Sequence, residues 1–393
     1  MSAVSTPTTE QHGARAHSDG GWAAVPVQTR SGRFRSTLVS DFPDVTGREP
    51  AWKHTPVDRL APLLGGDLDG QPYEVTANDT DTASVSWIDR DDARIGSAGM
   101  PEDRAAAAAW TSFRKALLIR LSGTEPSEFE VRRDGLGTAP RGAHTVIDIA
   151  ANSRGTILLR NHGSAVLTEN VEILVGDGAD VTIVTVQEWT AESLHLASHH
   201  ARIGRDARLR HIVVSLGGGV VRINPSAHLV SDGGDVELLG LYFADAGQHL
   251  EQQVYVDHDA PHTRSRVTYK GALQGAGARS VWVGDVLIRR SATGTDSYEQ
   301  NRNLVLTDGT RADSIPNLEI ETGDIIGAGH ASATGRFDDE QLFYLQSRGI
   351  TEEEARRLVV RGFLSEIVHQ IGSTELEKHL QAVLERELSG GVQ

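Results

Sequence analysis

The sequence predicts a mainly β fold of stacked coils, a β-solenoid, with a β-sandwich as the alternative architecture. Three observations carry that expectation. Between about residues 115 and 322, short Val/Ile/Leu runs such as "TILLRN", "VTIVTVQEW", "RHIVVSL" and "VELLGLYFA" are broken by Gly, Asp and Asn about every eight to twelve residues. Helical periodicity is missing over the same span. A turn-then-strand pattern recurs in "GDGADVTIV", "GRDARLRHI" and "SDGGDVELL", so Val181, Leu209 and Val236 stand 28 and then 27 residues apart, and a further copy, "DGTRADSIPNLEI", starts at Asp308. A period of that size fits coils that stack because none can bury its apolar face alone.

Residues 1–30 are rich in Ser, Thr, Gly, Ala and Gln and are expected to form a disordered arm. Residues 31–114 form a mixed, partly helical region with isolated aromatics at Phe34, Phe42, Trp52 and Tyr73. Within it, "ANDTDTASVSWIDRDDARIG" reads as solvated loop around one short strand, and "PEDRAAAAAW" as a helix start, with Pro101 and two early acids ahead of five alanines. The following "ALLIRLSG" can enter the β core, which is placed at 115–335. "GAGHASATG", Gly327 to Gly335, lies between the apparent strand "PNLEIE" and an apparent helix, where the β core gives way to a helical region at 336–393.

In that tail "FDDEQLFYLQSRG" stops at Gly349, a natural C-cap. Thr351 and Glu354 then make a capping box for the next helix. That helix carries two apolar stripes, one of Ala355, Leu358, Val359, Gly362, Phe363 and Ile367, the other of Val360, Leu364, Val368 and Ile371. Two stripes imply more than one partner surface. A last helix shows Leu376, Leu380, Val383, Leu384 and Leu388.

Composition excludes several chemistries. Lys plus Arg is 38 against 54 Asp plus Glu, a net charge of −16 that argues against nucleic acid and anionic membrane as partners. With no cysteine, the chain can supply no thiolate nucleophile, persulfide or thiolate metal ligand. No apolar run of about 18 residues predicts a membrane span, and the N-terminus lacks the apolar core of a secretory signal, so a cytoplasmic location is expected. Neither a G-x-S-x-G elbow, nor a Walker A loop, nor H-E-x-x-H occurs. His199 and His200 fall in a predicted strand, so they point to opposite faces and only one can line a common pocket. "DHDAPHT" (His258, Asp259, His262) offers metal-ligand types at close spacing, or a solvated loop. Trp52, Trp110, Trp189 and Trp282 read as core anchors. A carbohydrate-active solenoid enzyme would need acids repeated on one face, and the repeated aspartates here are explained by turns. No enzyme activity is expected.

The strings "YKG" (Tyr269 to Gly271), "NRNLVLTDGTRADSIPNLEIETGDI" and "GHASATGRFDDEQLFYLQSRGITEEEARRLVVRGFLSEI" resemble, in order and at close spacing, the SufB/SufD family of iron–sulfur cluster assembly scaffolds. "EPAWKHTPVDRL" (Glu49 to Leu60) is similar to a segment near the start of SufD-type members, so the likeness spans roughly residues 45 to 370. Many members carry a cysteine two residues before the histidine of the "GH" motif; here that position is Ala328, and the chain resembles the SufD type more than the SufB type.

The resemblance implies a right-handed parallel β-helix core flanked by N- and C-terminal helical regions. It implies pairing with SufB through the solenoid ends, docking of the ABC-type ATPase SufC on the C-terminal helices, and a non-catalytic scaffold role that supports iron acquisition. His330 maps onto the family's candidate ligand for iron or an iron–sulfur cluster at the SufB interface. Any cluster is then transient and shared with SufB, with no cofactor held stably by the isolated chain, which can form a homodimer when alone. The segment "SRGITEEEARRLVVRGF" is the expected SufC docking site, with Arg348, Glu353, Arg357 and Phe363 as contacts. A homodimeric solenoid with its own metal site is the competing expectation.

Overall fold

In a computed structural model of the chain, the described residues are 33–65, 67–336 and 339–390. The arm expected at 1–30 lies outside them. The chain divides into Met1–Arg33 and Phe34–Gln393, and everything below concerns the second unit.

The unit is a parallel β-solenoid. Each coil contributes one strand to each of two nine-stranded sheets, so strands adjacent in sequence alternate between sheets and every second strand pairs. The period read from the sequence is the coil: Leu209 pairs with Val181 on one side and Val236 on the other. Stacked coils meet at corners where backbone enters the left-handed region. Asp206 (φ 51°) and His262 (φ 55°) do so in place of glycine, while Gly178 (φ 67°), Gly233 (φ 73°) and Gly294 (φ 69°) hold equivalent corners. Their N–H groups each donate to the next coil, as Asp206 does to the Asp232 carbonyl at 3.0 Å, and this ladder sets the stacking.

Through the middle coils both faces of both sheets are covered, which is why those strands read as nearly continuous apolar runs. Inward residues such as Val181, Ile183, Leu209, Val236 and Trp282 fill the space between the sheets. Outward residues of one sheet, including Val184, Val186, Ile212, Val214 and Leu241, are buried under helices Glu352–Val368 and Thr374–Gly390. Outward residues of the other, including Leu196 and Val220, lie under Trp52, Leu60, Leu63 and Ala105 of the N-terminal region. That region contributes helix Arg104–Ser112, capped by Asp103, whose side chain accepts from the Ala106 N–H.

The two apolar stripes of helix Glu352–Val368 have different fates. Val360, Leu364, Val368 and Ile371 are all buried against the solenoid, whereas in the other stripe Ala355 and Ile367 are buried and Leu358, Val359 and Phe363 remain half-buried. "EPAWKHT" also finds its reason in packing. Trp52 lies over the buried Arg222, 4.0 Å from guanidinium carbon to ring centre, and the Thr55 hydroxyl donates to Glu251 at 2.8 Å.

The two ends of the solenoid differ. Antiparallel strands Thr76–Ala77 and Ala83–Asp89 terminate the sheets at the first coil. At the other end, strands Arg311–Ile320 and Ile325–Arg336 each pair on one side only.

Candidate functional site

The segment "GAGHASATG" is not a connection between strand and helix. It is the body of the final strand, Ile325–Arg336, and it pairs in parallel with Thr295–Val305. Small residues suffice there because the strand covers the end of the core without being covered itself. A Cβ built on Gly327 or Gly335 would meet nothing within 4 Å.

Register decides where His330 points. It pairs with Glu299, Ala328 with Ser297, and Ser332 with Asn301. Side chains of in-register parallel partners share a face, and Ser297, Glu299 and Asn301 are the buried, inward positions of their strand. Ser332 confirms the direction, its hydroxyl donating across the gap between sheets to Ser314 at 2.8 Å. His330 therefore faces into the mouth of the last coil. It is 45% exposed only because no further coil lies beyond it. Ala328 and His330 sit on the same face, so a cysteine at residue 328 would have opened on the same mouth.

Beneath His330 lies Glu299, whose side chain is 1% exposed. Its Oε1 is 3.8 Å from Nδ1 of His330, and neither carboxylate oxygen completes a hydrogen bond. Burial pushes its carboxyl up to about 8 from an ordinary 4.5, offset only in part by the nearby Asn317 N–H. The room for it comes from Gly284, where a Cβ would fall 2.5 Å from Glu299 Oε2 and 2.3 Å from the Trp282 ring. Sequence reading missed Glu299. The available signal was an acid at an inward position of "TDSYEQNRN", where Ser297 and Asn301 flank it with period two.

A second polar cluster between the sheets is closed on itself. Arg133 grips Glu169 through two bonds of 2.7 and 2.8 Å and donates to Asn161 at 2.6 Å. Trp189 Nε1 donates to His195 Nδ1, which leaves His195 Nε2 as the donor to Glu169 at 2.9 Å. Arg133 accordingly holds the Glu169 carboxyl well below its usual range against the cost of burial. The members come from different coils, and nothing in their spacing announced the network. It leaves no free ligand atom and reads as structure.

His199 and His200 do point to opposite faces. His199 turns inward to His211, with ring nitrogens 3.2 Å apart. His200 turns outward and is buried against Gly99, where a Cβ would stand 2.7 Å from its ring. His258 is saturated by the hydroxyls of Thr263 and Ser265 at 2.7 and 2.9 Å. No group of three or more His, Asp or Glu suited to a metal occurs among the described residues.

In the tail, Arg348 lies on the exposed ring of Tyr344 and donates to its hydroxyl at 3.2 Å. Glu353 and Arg357 pair along one helix face. Phe363 is turned toward the solenoid, against Lys270 of "YKG". Phe343, 71% exposed, is a large apolar side chain that stripe analysis passed over. No helix of the described residues is long and apolar enough to cross a membrane.

As donors, a neutral imidazole and a carboxylate suit divalent iron. Two ligands do not complete a coordination sphere, and with no cysteine in the chain any thiolate ligand of a cluster handled here comes from outside it. Comparison with known proteins bears on its source. Residues 135–363 match the model of the SUF system FeS cluster assembly SufBD core domain. The chain is 49% identical over 366 residues to an iron–sulfur cluster assembly SufBD family protein of Mycobacterium bovis, covering 90% of this chain and 92% of that protein. It is 46% identical to one of Mycobacterium leprae, covering 91% and 93%. A second SufBD family protein of M. bovis is 31% identical over 222 residues, which are 56% of this chain and 26% of that protein.

Proposed function

The chain belongs to the SufB/SufD family of iron–sulfur cluster assembly proteins, and from that premise we propose that it is the SufD-type, non-catalytic scaffold subunit of a cytoplasmic assembly complex. In this reading it pairs with a thiolate-bearing SufB through the open end of the solenoid, and its C-terminal helices dock the ATPase SufC. His330 is its ligand to iron or to a nascent cluster shared across that junction, with both as cargo and neither as a resident cofactor.

The observation that carries the reading is the position of His330, facing inward at the solenoid end where each sheet stops at a parallel strand of ten or more residues with one open edge. Unpaired strands invite pairing with another chain. Exposed Ile320 and Ile326 beside them favour such a contact. The absence of cysteine makes a partner necessary for any thiolate-ligated cluster. The same unpaired strands would also accept a second copy of this chain, and the isolated protein is expected to dimerise through them.

The test is purification of the complex through a tag on this chain. SufB and SufC should co-purify. His330→Ala should leave that association and the fold intact while lowering cluster yield on the complex. Unchanged yield would remove the ligand role, and failure to retain SufC with residues 338–393 present would remove the docking role.

A further inference from the structure

The described residues contain four fully buried glutamates, Glu169, Glu172, Glu251 and Glu299. Three have resident partners. Glu169 has Arg133 and His195, Glu172 has His144 with the N–H groups of Gly96 and Ala98, and Glu251 has Arg222, His249 and Thr55. Glu299 has none. A buried carboxyl with both oxygens idle is costly, and buried polar groups are nearly always satisfied. The exception stands at the mouth of the solenoid, facing His330.

We infer that Glu299 is a second metal ligand, and that Glu299 and His330 together form a half-site for ferrous iron or a divalent cation of similar size on this chain alone. The inference rests on the reading of His330 above and extends it to a residue that carries no assigned role. Its basis is geometric. Metal bonds of about 2.0 to 2.2 Å to an imidazole nitrogen and a carboxylate oxygen hold those two atoms roughly 3 to 4 Å apart. The observed separation is 3.8 Å, so a cation fits between them without moving the main chain. Imidazole and carboxylate are both ligands that divalent iron accepts. The donors stand on adjacent, directly paired strands, which fixes their spacing through the register. Gly284 keeps the second oxygen clear of backbone substituents. With only two ligands the half-site binds weakly and leaves positions open for ligands from a second chain, as a delivery site requires.

Trp282 provides a reporter. Its ring and Glu299 Oε2 both fall within 2.5 Å of one point, the Cβ position of Gly284, so the two lie within about 5 Å of each other. A paramagnetic cation at Glu299 should quench its emission.

The experiment is anaerobic titration of the isolated full-length chain with ferrous iron, and with cobalt(II) for its ligand-field spectrum, followed by calorimetry and tryptophan emission. Wild-type protein should bind one cation per chain saturably, with quenching that is lost in Trp282→Phe. Glu299→Gln and His330→Ala should each weaken binding about tenfold or more, and neither should lower the melting temperature. If Glu299→Gln binds as wild type does while His330→Ala does not, Glu299 is no ligand, and the inference falls with the His330 role intact. If the wild-type chain binds no cation saturably, the half-site is overturned, and Glu299 faces a water or a partner's donor instead. Cluster yield on the complex tests His330 separately, so the two failures are distinguishable.

Discussion

The ammonium of Lys270 lies 4.8 Å from the ring centre of Phe363 and donates to that residue's carbonyl at 3.2 Å. This pair pins helix Glu352–Val368 to solenoid strand Arg264–Leu273, and Glu366 takes up the charge. The contact combines a cation–π attraction with a charge-assisted hydrogen bond beside an apolar seam. Phe363→Ala should destabilise the protein by about 1 to 3 kcal/mol, less than a fully buried phenylalanine costs. Hydrogen exchange should rise in residues 352–368 and stay unchanged in the solenoid. Uniform exchange across both would show that the helices and solenoid open together.

Close packing inside the coils makes Gly271 irreplaceable. A Cβ there would fall 1.7 Å from the ring of Tyr242, which is itself buried and hydrogen-bonded to Asn301 and Asn303. The ring cannot retreat without breaking those bonds. Gly271→Ala should cost about 3 kcal/mol or more, at the upper end for an overpacked core. Chemical denaturation measures it, and a change below about 1 kcal/mol would mean that the ring has somewhere to go.

Arg222 joins the N-terminal region to the core through Asp103 at 2.8 Å, Glu251 at 3.1 Å and the face of Trp52. Replacing it with alanine takes the guanidinium from two acids, one of them wholly buried and left with His249 and Thr55, so Arg222→Ala should cost roughly 3 kcal/mol. Trp52 emission should shift to longer wavelength as the segment loosens. A Trp52 environment unchanged in the variant would refute the anchoring role.

Burial holds His200, His211 and His258 at about 4, below the ordinary 6.5 of each. In the folded state they stay neutral over a range where the unfolded chain binds protons. Their contribution is fully present above pH 6.5 and is lost as pH falls from 6.5 toward 4, with a slope of about three protons. Denaturant midpoints measured at pH 7, 6 and 5 should fall progressively. Replacing any one of the three by glutamine should lower the slope by about one proton, and a flat profile would be incompatible with their burial as neutral rings.

If the tail docks the ATPase as proposed, its exposed aromatics are where the energy should concentrate. Phe343→Ala and Tyr344→Ala should weaken SufC retention by tenfold or more while changing stability by no more than about 0.5 kcal/mol. Arg357→Glu, which breaks the pair with Glu353, should weaken it too. Retention unaltered in all three would move the docking surface elsewhere.

Local pattern determined a great deal. Turn residues at a 27- to 28-residue spacing yielded the coils and even the register, because parallel stacking repeats whatever each coil does. Capping signals at Thr351 and Gly349 marked the tail helices, since caps are satisfied within a few residues. His330 was legible as a candidate from family motifs and the absence of cysteine. Its surroundings were not. Which apolar stripe of the tail helix is buried, which way Phe363 turns, and how Trp52 covers Arg222 all depend on surfaces brought together from distant coils. Glu299 shows the reason most clearly. It is 31 residues from His330, and only the pairing of the last two strands of one sheet brings imidazole over carboxylate. Its isolation is a property of the closed space around it, which no local pattern encodes.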